Sequence, residues 1–595
     1  MTRKNIILCA YTIVIFLAIW LFLWLQCPQY LLYHERNQLF LFTGSYFLHT
    51  ISVPGGMADY ISEFVVQFFY VPVYGAMMAA LVLSLSQLFL GMACRRGNLS
   101  GSAFILSALP SLIYLGAMSD ENILLSYAVA MILSSLFIYI CSLFKGISSL
   151  VCTISLIIGF AALYWLAGPM AITFVIAAGI VCRRPKAIAI GVPVAFAFIW
   201  ALHSIFFEQY PLSSMLLGIN YYRVPEIHPG ILSVIAALIA FFPIVTLPKI
   251  RAGRTATYFS AIATAAFAMI YVPASFDKTK SDILSYDSLV RQRKWTDIIE
   301  KAQNENPSDV FSLQAVNLAL GMTGQLPETM FRYSQNGIEG LIGKNRLDNT
   351  SQLISAEALF HLGLTNIAFS KTFDLQESIM NDRKSGRLMK RMAECMIING
   401  NYKVAAKYLG FLRNSLFYAD WARKAETLLW NDNAVEKHPA YGKMRRNAFR
   451  EEAFYDHSQI DKILAILAID SGGENTLAWQ YFCAASMLNG NIATLAGAYG
   501  SPSNPYAGLP IPRHVQEAIA MYWTFNHPTF EGLPFHLKDE VKQQTAALAQ
   551  AVMKNKDNPA SWQNVAPGSY GIYFLNTSLT RQQTEVANEY QHTHE

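Results

Sequence analysis

Residues 5–25 read NIILCAYTIVIFLAIWLFLWL, an uninterrupted run without a charged side chain, and Arg3-Lys4 stands just before it. About 20 apolar residues, each adding 1.5 Å of helix, are needed to cross a hydrocarbon core of roughly 30 Å. The run meets that length. It is too long for the apolar centre of a signal peptide, and no small-x-small cleavage site follows it. Leu25-Gln26-Cys27 is a poor lipoprotein cleavage sequence, because Gln26 occupies a position that wants a small residue. A retained transmembrane helix is therefore expected.

The same reading recurs along the first half of the chain. Apolar segments near spanning length fall at 5–25, 64–92, 101–118, 123–144, 147–167, 169–182, 187–206, 230–247 and 255–273, the fifth and sixth separated by a tight turn at Gly168-Pro169. Residues 1–273 hold 13 Lys/Arg and 7 Asp/Glu, whereas residues 274–595 hold 32 and 33. An apolar, weakly charged half followed by an ordinarily charged one indicates a membrane module joined to a water-soluble one. With the N-terminus inside, Arg3, Lys4, Arg95, Arg96, Lys145, Arg183, Arg184, Lys186, Lys249, Arg251 and Arg254 all fall on the cytoplasmic side. Only Arg36 and Arg223 remain outside, which satisfies the positive-inside rule. The seven acids (Glu35, Asp59, Glu63, Asp120, Glu121, Glu208 and Glu226) gather at the outer side. Nine spans would then deliver everything after Pro273 outside the cytoplasm. The expected fold is all-α: a polytopic helical bundle over 1–273, helical repeats over 274–500, and a C-terminal helical and irregular extension over 501–595.

In the soluble half, Gly324, Gly363 and Gly400 each end an apolar-periodic helix, at spacings of 39 and 37 residues. A period in the thirties is the signature of helix-pair repeats. The stretch 392–422 fits a tetratricopeptide unit, with Ala393, Gly400, Tyr402 and Ala405 at the small, turn and aromatic positions. Ala356, Gly363 and Ala368 repeat the scheme, and Cys483 and Gly490 do so loosely. Such arrays bind protein partners or serve as packing scaffolds. Of eight cysteines only Cys395 and Cys483 fall here, leaving room for one disulfide, and no zinc spacing occurs.

Several function classes are excluded or disfavoured. The basic residues lie in short turns between apolar runs, not on one face of a soluble domain, so no nucleic-acid partner is expected. There is no G-x-x-x-x-G-K-[ST], H-E-x-x-H or G-x-S-x-G sequence, and no dinucleotide-binding glycine run after a strand. Ionisable residues in the middle of spans usually mark ion paths; here they stay near the ends, which tells against a transporter. What remains is the outer-loop set. The first outer loop carries His34, Glu35 and Arg36, then an aromatic run suited to the membrane surface, then Asp59. The second is Ser119-Asp120-Glu121-Asn122, and the loop after the seventh span holds Tyr222 and Arg223. Glu35, Asp120 and Glu121 are candidate catalytic acids or bases, and the carboxylates leave a divalent metal open as a cofactor. His34, Arg36, Asp59, Tyr222 and Arg223 are candidate substrate contacts. Arg223 could hold a phosphate through two parallel hydrogen bonds. The plainer alternatives are a hydrated ion pair at Glu35-Arg36 and a helix cap at Asp120.

Two resemblances follow from these residues. Glu35-Arg36-Asn37-Gln38-Leu39-Phe40, the run Pro54-Gly55-Gly56 through Asp59-Tyr60, Phe64, Gln67-Phe68-Phe69, Pro72 and Gly75, and the late Pro512-Arg513-His514-Val515-Gln516-Glu517-Ala518 resemble an uncharacterised family of Gram-negative bacterial membrane proteins. That implies an inner-membrane location with a periplasmic C-terminal domain. The layout of residues 1–273 also resembles the GT-C class of membrane glycosyltransferases, which take sugars from polyprenyl-phosphate donors on the outer leaflet. The resemblance implies that Glu35 falls where the first-loop catalytic acid sits, and Asp120 or Glu121 where the second acidic motif sits. The chain departs from that class in having His34 and Arg36 beside Glu35 where a pair of acids is commoner. The two expected functions are thus a GT-C-like transferase using a membrane lipid donor, and a non-enzymatic envelope scaffold.

Overall fold

The computed structural model describes residues 3–95, 100–120, 123–144, 148–218, 229–246, 253–344, 350, 352–379, 383–449, 460–502, 504–554 and 560–578. Every regular element among them is helical. The chain forms two compact units that are not consecutive in sequence. One comprises Met1–Leu284, Ile379–Lys390 and Tyr408–Lys424, and the other Ser285–Ser378, Arg391–Lys407 and Ala425–Glu595.

In the first unit the helices are α1 (Arg3–Leu25), α2 (Pro28–Arg36), α3 (Gly44–Ile51), α4 (Gly56–Val66), α5 (Pro72–Cys94), α6 (Ser100–Leu106), α7 (Leu109–Ala117), α8 (Leu125–Leu143), α9 (Ser149–Ala167), α10 (Met170–Val181), α11 (Pro185–Phe206), α12 (Leu212–Leu217), α13 (Gly230–Phe241) and α14 (Arg254–Ala274). Six of them, α1, α5, α8, α9, α11 and α14, contain stretches long and apolar enough to cross a membrane. Their outward side chains support that assignment: Ile158, Ile205 and Ile270 are 65%, 70% and 73% exposed. Side chains of this kind at this exposure cost about 1.5–3 kcal/mol each in water, but nothing in lipid. The protein is a membrane protein.

The other three apolar runs fold into shorter helices, within 101–117, 170–181 and 230–245. The 12 residues of α10 rise only about 18 Å. The run expected as one span over 64–92 is broken. Helix α4 passes through a short 3-10 turn at Gln67–Tyr70, and Val71 is extended before Pro72 opens α5. Proline forces its predecessor out of the helical region, so apolarity alone cannot carry the helix through.

Inside the bundle α8 is central, packing against α4, α5, α9 and α10. Polar side chains pin the helices where lipid offers no alternative partner. Gln87 on α5 is fully buried; its amide donates to the Phe104 carbonyl and Ser107 Oγ, both at 3.2 Å, and accepts from Thr12 of α1 at 3.1 Å. Ser134 and Thr173 join α8 to α10 at 2.8 Å, and the Tyr164 hydroxyl donates to the Met215 carbonyl at 3.0 Å.

In the second unit several helices pack against their neighbours in sequence. Gln352–Leu362 and Thr365–Glu377 are joined through Gly363, whose φ of +95° a side chain rarely adopts. Arg391 is buried between Glu357 and Glu394, with its guanidinium 3.6 Å above the Phe360 ring. Burial, reinforced by Arg391, pushes the neighbouring His361 down to about 3. Cys395 and Cys483 are both buried free thiols.

Gly56 begins α4, and a Cβ there would stand 1.9 Å from the Thr50 carbonyl oxygen, a backbone atom that cannot swing away. Gly56→Ala should therefore destabilise the first unit by about 2 kcal/mol, as overpacking does. The check is the thermal unfolding midpoint of the detergent-solubilised protein.

Candidate functional site

Helix α2 opens with Pro28, whose fixed φ suits a first helical position. Six of its nine residues are buried: Tyr30, Leu31, Tyr33, His34, Glu35 and Arg36. The chain then extends, and the Phe42 N–H donates to the Asn414 carbonyl at 2.8 Å. Gly55, at φ +87°, turns the backbone into α4, and its N–H donates to the Trp165 carbonyl at 3.0 Å. The buried face of α4 carries Ala58, Asp59, Ser62, Glu63 and Val66. Two carboxylates four residues apart on one helix repel each other. Inside a protein they require a cation.

Arg383 supplies it. Its Nη2 lies 2.7 Å from Asp59 Oδ1 and its Nη1 2.6 Å from Glu63 Oε1, and all three side chains are at most 8% exposed. The same Nη1 donates to Gln38 Oε1 at 3.2 Å. Burial raises the Asp59 and Glu63 carboxyls above the ordinary carboxylate range, and the Arg383 charge pulls both back down. Alongside, Glu35 accepts a 2.8 Å hydrogen bond from the Tyr418 hydroxyl. The Tyr418 ring packs edge-on to Tyr70 and so closely on Gly386 that a Cβ there would meet it at 2.3 Å. Aromatic rings continue from this point: Phe417, Phe68, Phe64, Phe40 and Tyr60 touch in succession, with centroids 4.9–6.1 Å apart. Among the described residues, the buried Gln38 Nε2, Glu63 Oε2 and Gln67 Oε1 of this cluster meet no hydrogen-bond partner.

The residues singled out from sequence fall as follows. His34 Nε2 is 2.9 Å from the Met118 carbonyl, and Lys280 Nζ donates to the Ser119 carbonyl at 3.0 Å. The turn after α7 therefore lies against α2. Asp120 is half-buried in that turn, with its N–H on the Ala117 carbonyl. Arg36 turns inward, 1% exposed, over the Tyr33 ring and with Nε on Asn37 Oδ1. Asp59 sits in the Arg383 clamp. Glu121, Tyr222 and Arg223 lie outside the described residues. Sequence reading missed Glu63 as a site residue, and it missed Arg383 and Tyr418 entirely. The Asp59/Glu63 spacing was the available signal that a cation had to come from elsewhere. Among the described residues no group of three or more His, Cys, Asp or Glu is arranged to hold a metal ion.

The same unit holds an apolar cavity of about 240 Å³, bordered by Tyr127, Thr173, Ile176, Leu216, Leu232 and Ala240. A family model described as a family of unknown function, DUF6057, matches residues 2–575. The chain belongs to the DUF6057 family. No curated protein and no solved structure matches it. Membership accounts for the likeness to an uncharacterised family and assigns no chemistry, so for this DUF6057 protein the buried cluster has to be read from its own geometry.

Arg383→Met should cost about 3–5 kcal/mol, because it strands two buried carboxylates. The sign of its pH dependence follows from the two acids. Without Arg383 the raising influence of burial dominates both acids, opposed at Asp59 only by a hydrogen bond from Ser126, and a carboxyl raised in the folded state contributes stability below its unfolded pKa that is lost as pH rises through the folded value. The variant should therefore be weakest near pH 8 and recover towards about pH 5, while the parent protein changes less. Thermal unfolding across that range is the measurement.

Proposed function

We propose that the protein is a bacterial inner-membrane transferase of the GT-C type, moving a sugar from a polyprenyl-phosphate donor at the outer leaflet. In this reading the nine apolar segments are nine spans with the N-terminus cytoplasmic. Residues 274–500 form periplasmic tetratricopeptide-like repeats that bind the acceptor or a protein partner. The inner placement of the loop cations supports the orientation. The observation that carries the proposal is the set of buried atoms beside the Arg383 clamp, Gln38 Nε2, Glu63 Oε2 and Gln67 Oε1, that meet no partner among the described residues. A buried network made only for stability satisfies its polar groups. Open donors and acceptors side by side suit a polar guest.

Chemically, the bond from the anomeric carbon to the phosphate oxygen breaks, and polyprenyl phosphate leaves with the electron pair. The acceptor oxygen bonds to that carbon and gives its proton to Glu35, on which the acceptor hydroxyl takes the place of Tyr418. Asp120 and Glu121 form the second acidic element, His34, Arg36, Asp59 and Tyr222 border the substrates, and Arg223 contacts the lipid phosphate. The apolar cavity near Tyr127 suits part of the lipid chain. A divalent metal is not required by this scheme.

The second reading is a non-enzymatic envelope scaffold. It is favoured by the fact that Glu35, Asp59 and Glu63 each already hold a protein partner. Membranes containing the protein, given radiolabelled glucosyl and mannosyl polyprenyl phosphates, separate the two. The transferase moves label into an acceptor, and Glu35→Gln abolishes transfer without lowering the unfolding temperature, since the amide oxygen still accepts from Tyr418. Transfer retained in that variant would remove Glu35 from the mechanism. Absence of transfer by the parent protein from either donor would favour the scaffold.

A further inference from the structure

The second unit contains an open cleft of about 730 Å³ that the membrane-side chemistry does not use. Its walls come from three places: the irregular stretch 331–339, the end of helix Thr476–Asn489, and the helical residues from 570 onward. The floor is rigid. Phe331 packs against Tyr573 and Tyr570 with ring centroids 4.9 and 5.2 Å apart, and the Tyr573 hydroxyl donates to the Leu488 carbonyl at 3.3 Å. Gly568, at φ +70°, brings its backbone against that of Phe331 and Arg332, where an added Cβ would be 3.6–3.7 Å from main-chain atoms.

The lining chemistry selects the ligand. Among the described lining residues Glu339 alone is charged at neutral pH, and Lys344 lies 2.7 Å from its carboxylate. With no lysine or arginine among the described lining residues, and Lys344 engaged by Glu339, the wall is poorly suited to a phosphate, nucleic acid or acidic peptide. The wall instead carries the uncharged polar side chains of Ser334, Asn336, Asn489, Ser569, Asn576 and Thr577, with Ser569 Oγ accepting from the Ile572 N–H and the Thr577 hydroxyl donating to the Tyr573 carbonyl. Asn336 spends its Nδ2 on the Ser308 carbonyl at 2.6 Å, which fixes the amide so that Oδ1 is the atom presented. No described protein atom engages the Asn489 amide. Tyr333 and Tyr573 add aromatic surface beside these amides. Amides matched to paired hydroxyls, set next to aromatic rings, are the complement of a sugar ring, which has polar edges and apolar faces.

We propose that this cleft binds a neutral oligosaccharide of two to four residues, a size suited to its volume. The inference stands on the second unit alone and does not depend on the transferase reading. The test uses the full-length protein in nanodiscs, titrated calorimetrically with cellotetraose, maltotetraose, mannotetraose and chitotetraose. At least one should bind saturably. Asn576 is exposed, so Asn576→Trp fills the cleft without touching the core and should weaken that binding at least about tenfold, a difference of about 1.4 kcal/mol. Asn489→Ala should weaken it in the same direction with unchanged far-ultraviolet circular dichroism. Failure of all four sugars to bind overturns the proposal, as does binding indifferent to Asn576→Trp. Stronger binding of an uncharged hexapeptide of serine, glycine and asparagine, or of a sulfated tetrasaccharide, overturns it as well.

Discussion

Two carboxylates one helical turn apart cannot both stay ionised in a dry interior unless a cation stands between them, and Arg383 is that cation. Each buried charge loses several kcal/mol of hydration, so the Asp59–Arg383–Glu63 arrangement is tolerable only as a whole. It has a topological consequence. Asp59 and Glu63 belong to α4, whereas Arg383 follows them by 324 and 320 residues. The segment around Arg383 therefore belongs to the same compact unit as the membrane helices. Tyr418, 383 residues after Glu35, ties a second late segment to the same place.

Around this polar centre the membrane unit is organised by the opposite rule. Apolar side chains on α9, α11 and α14 are left outward because lipid accepts them, while Gln87, Ser107, Ser134 and Thr173 turn inward and bond across helices. The lipid-facing surface supplies little specificity, since hydrocarbon is as apolar as leucine. The inward polar contacts and the small residues that permit close approach fix which helices are neighbours. The second unit combines an apolar core with the buried Arg391–Glu357 and Arg391–Glu394 pairs and uncharged polar groups along its cleft.

Much of this was legible in the chain. The long apolar runs announced the membrane helices, and Gly363 closes a helix pair with the positive φ that a turn glycine is chosen for. The break at Val71-Pro72 was also readable, because proline constrains the residue before it, but hydropathy summed over 64–92 hides a local steric rule. What could not be read was partnership. Asp59 and Glu63 carry the local pattern of solvated acids, and only the repulsion between them hints at a missing cation. Nothing near Arg383 or Tyr418 distinguishes them from other arginines and tyrosines of the chain. Long-range pairing is set by the fold as a whole, and a hydropathy profile contains no term for it.

The claim on which the account rests is that Arg383 and Asp59 stabilise the membrane unit jointly, not separately. A double-mutant cycle measures that directly, using unfolding free energies of the parent, Asp59→Asn, Arg383→Gln and the double variant. A joint role predicts a coupling energy of about 2 kcal/mol, with the double variant less destabilised than the sum of its parts. Losses that add to within about 0.5 kcal/mol would contradict it, because residues that share no interaction behave that way.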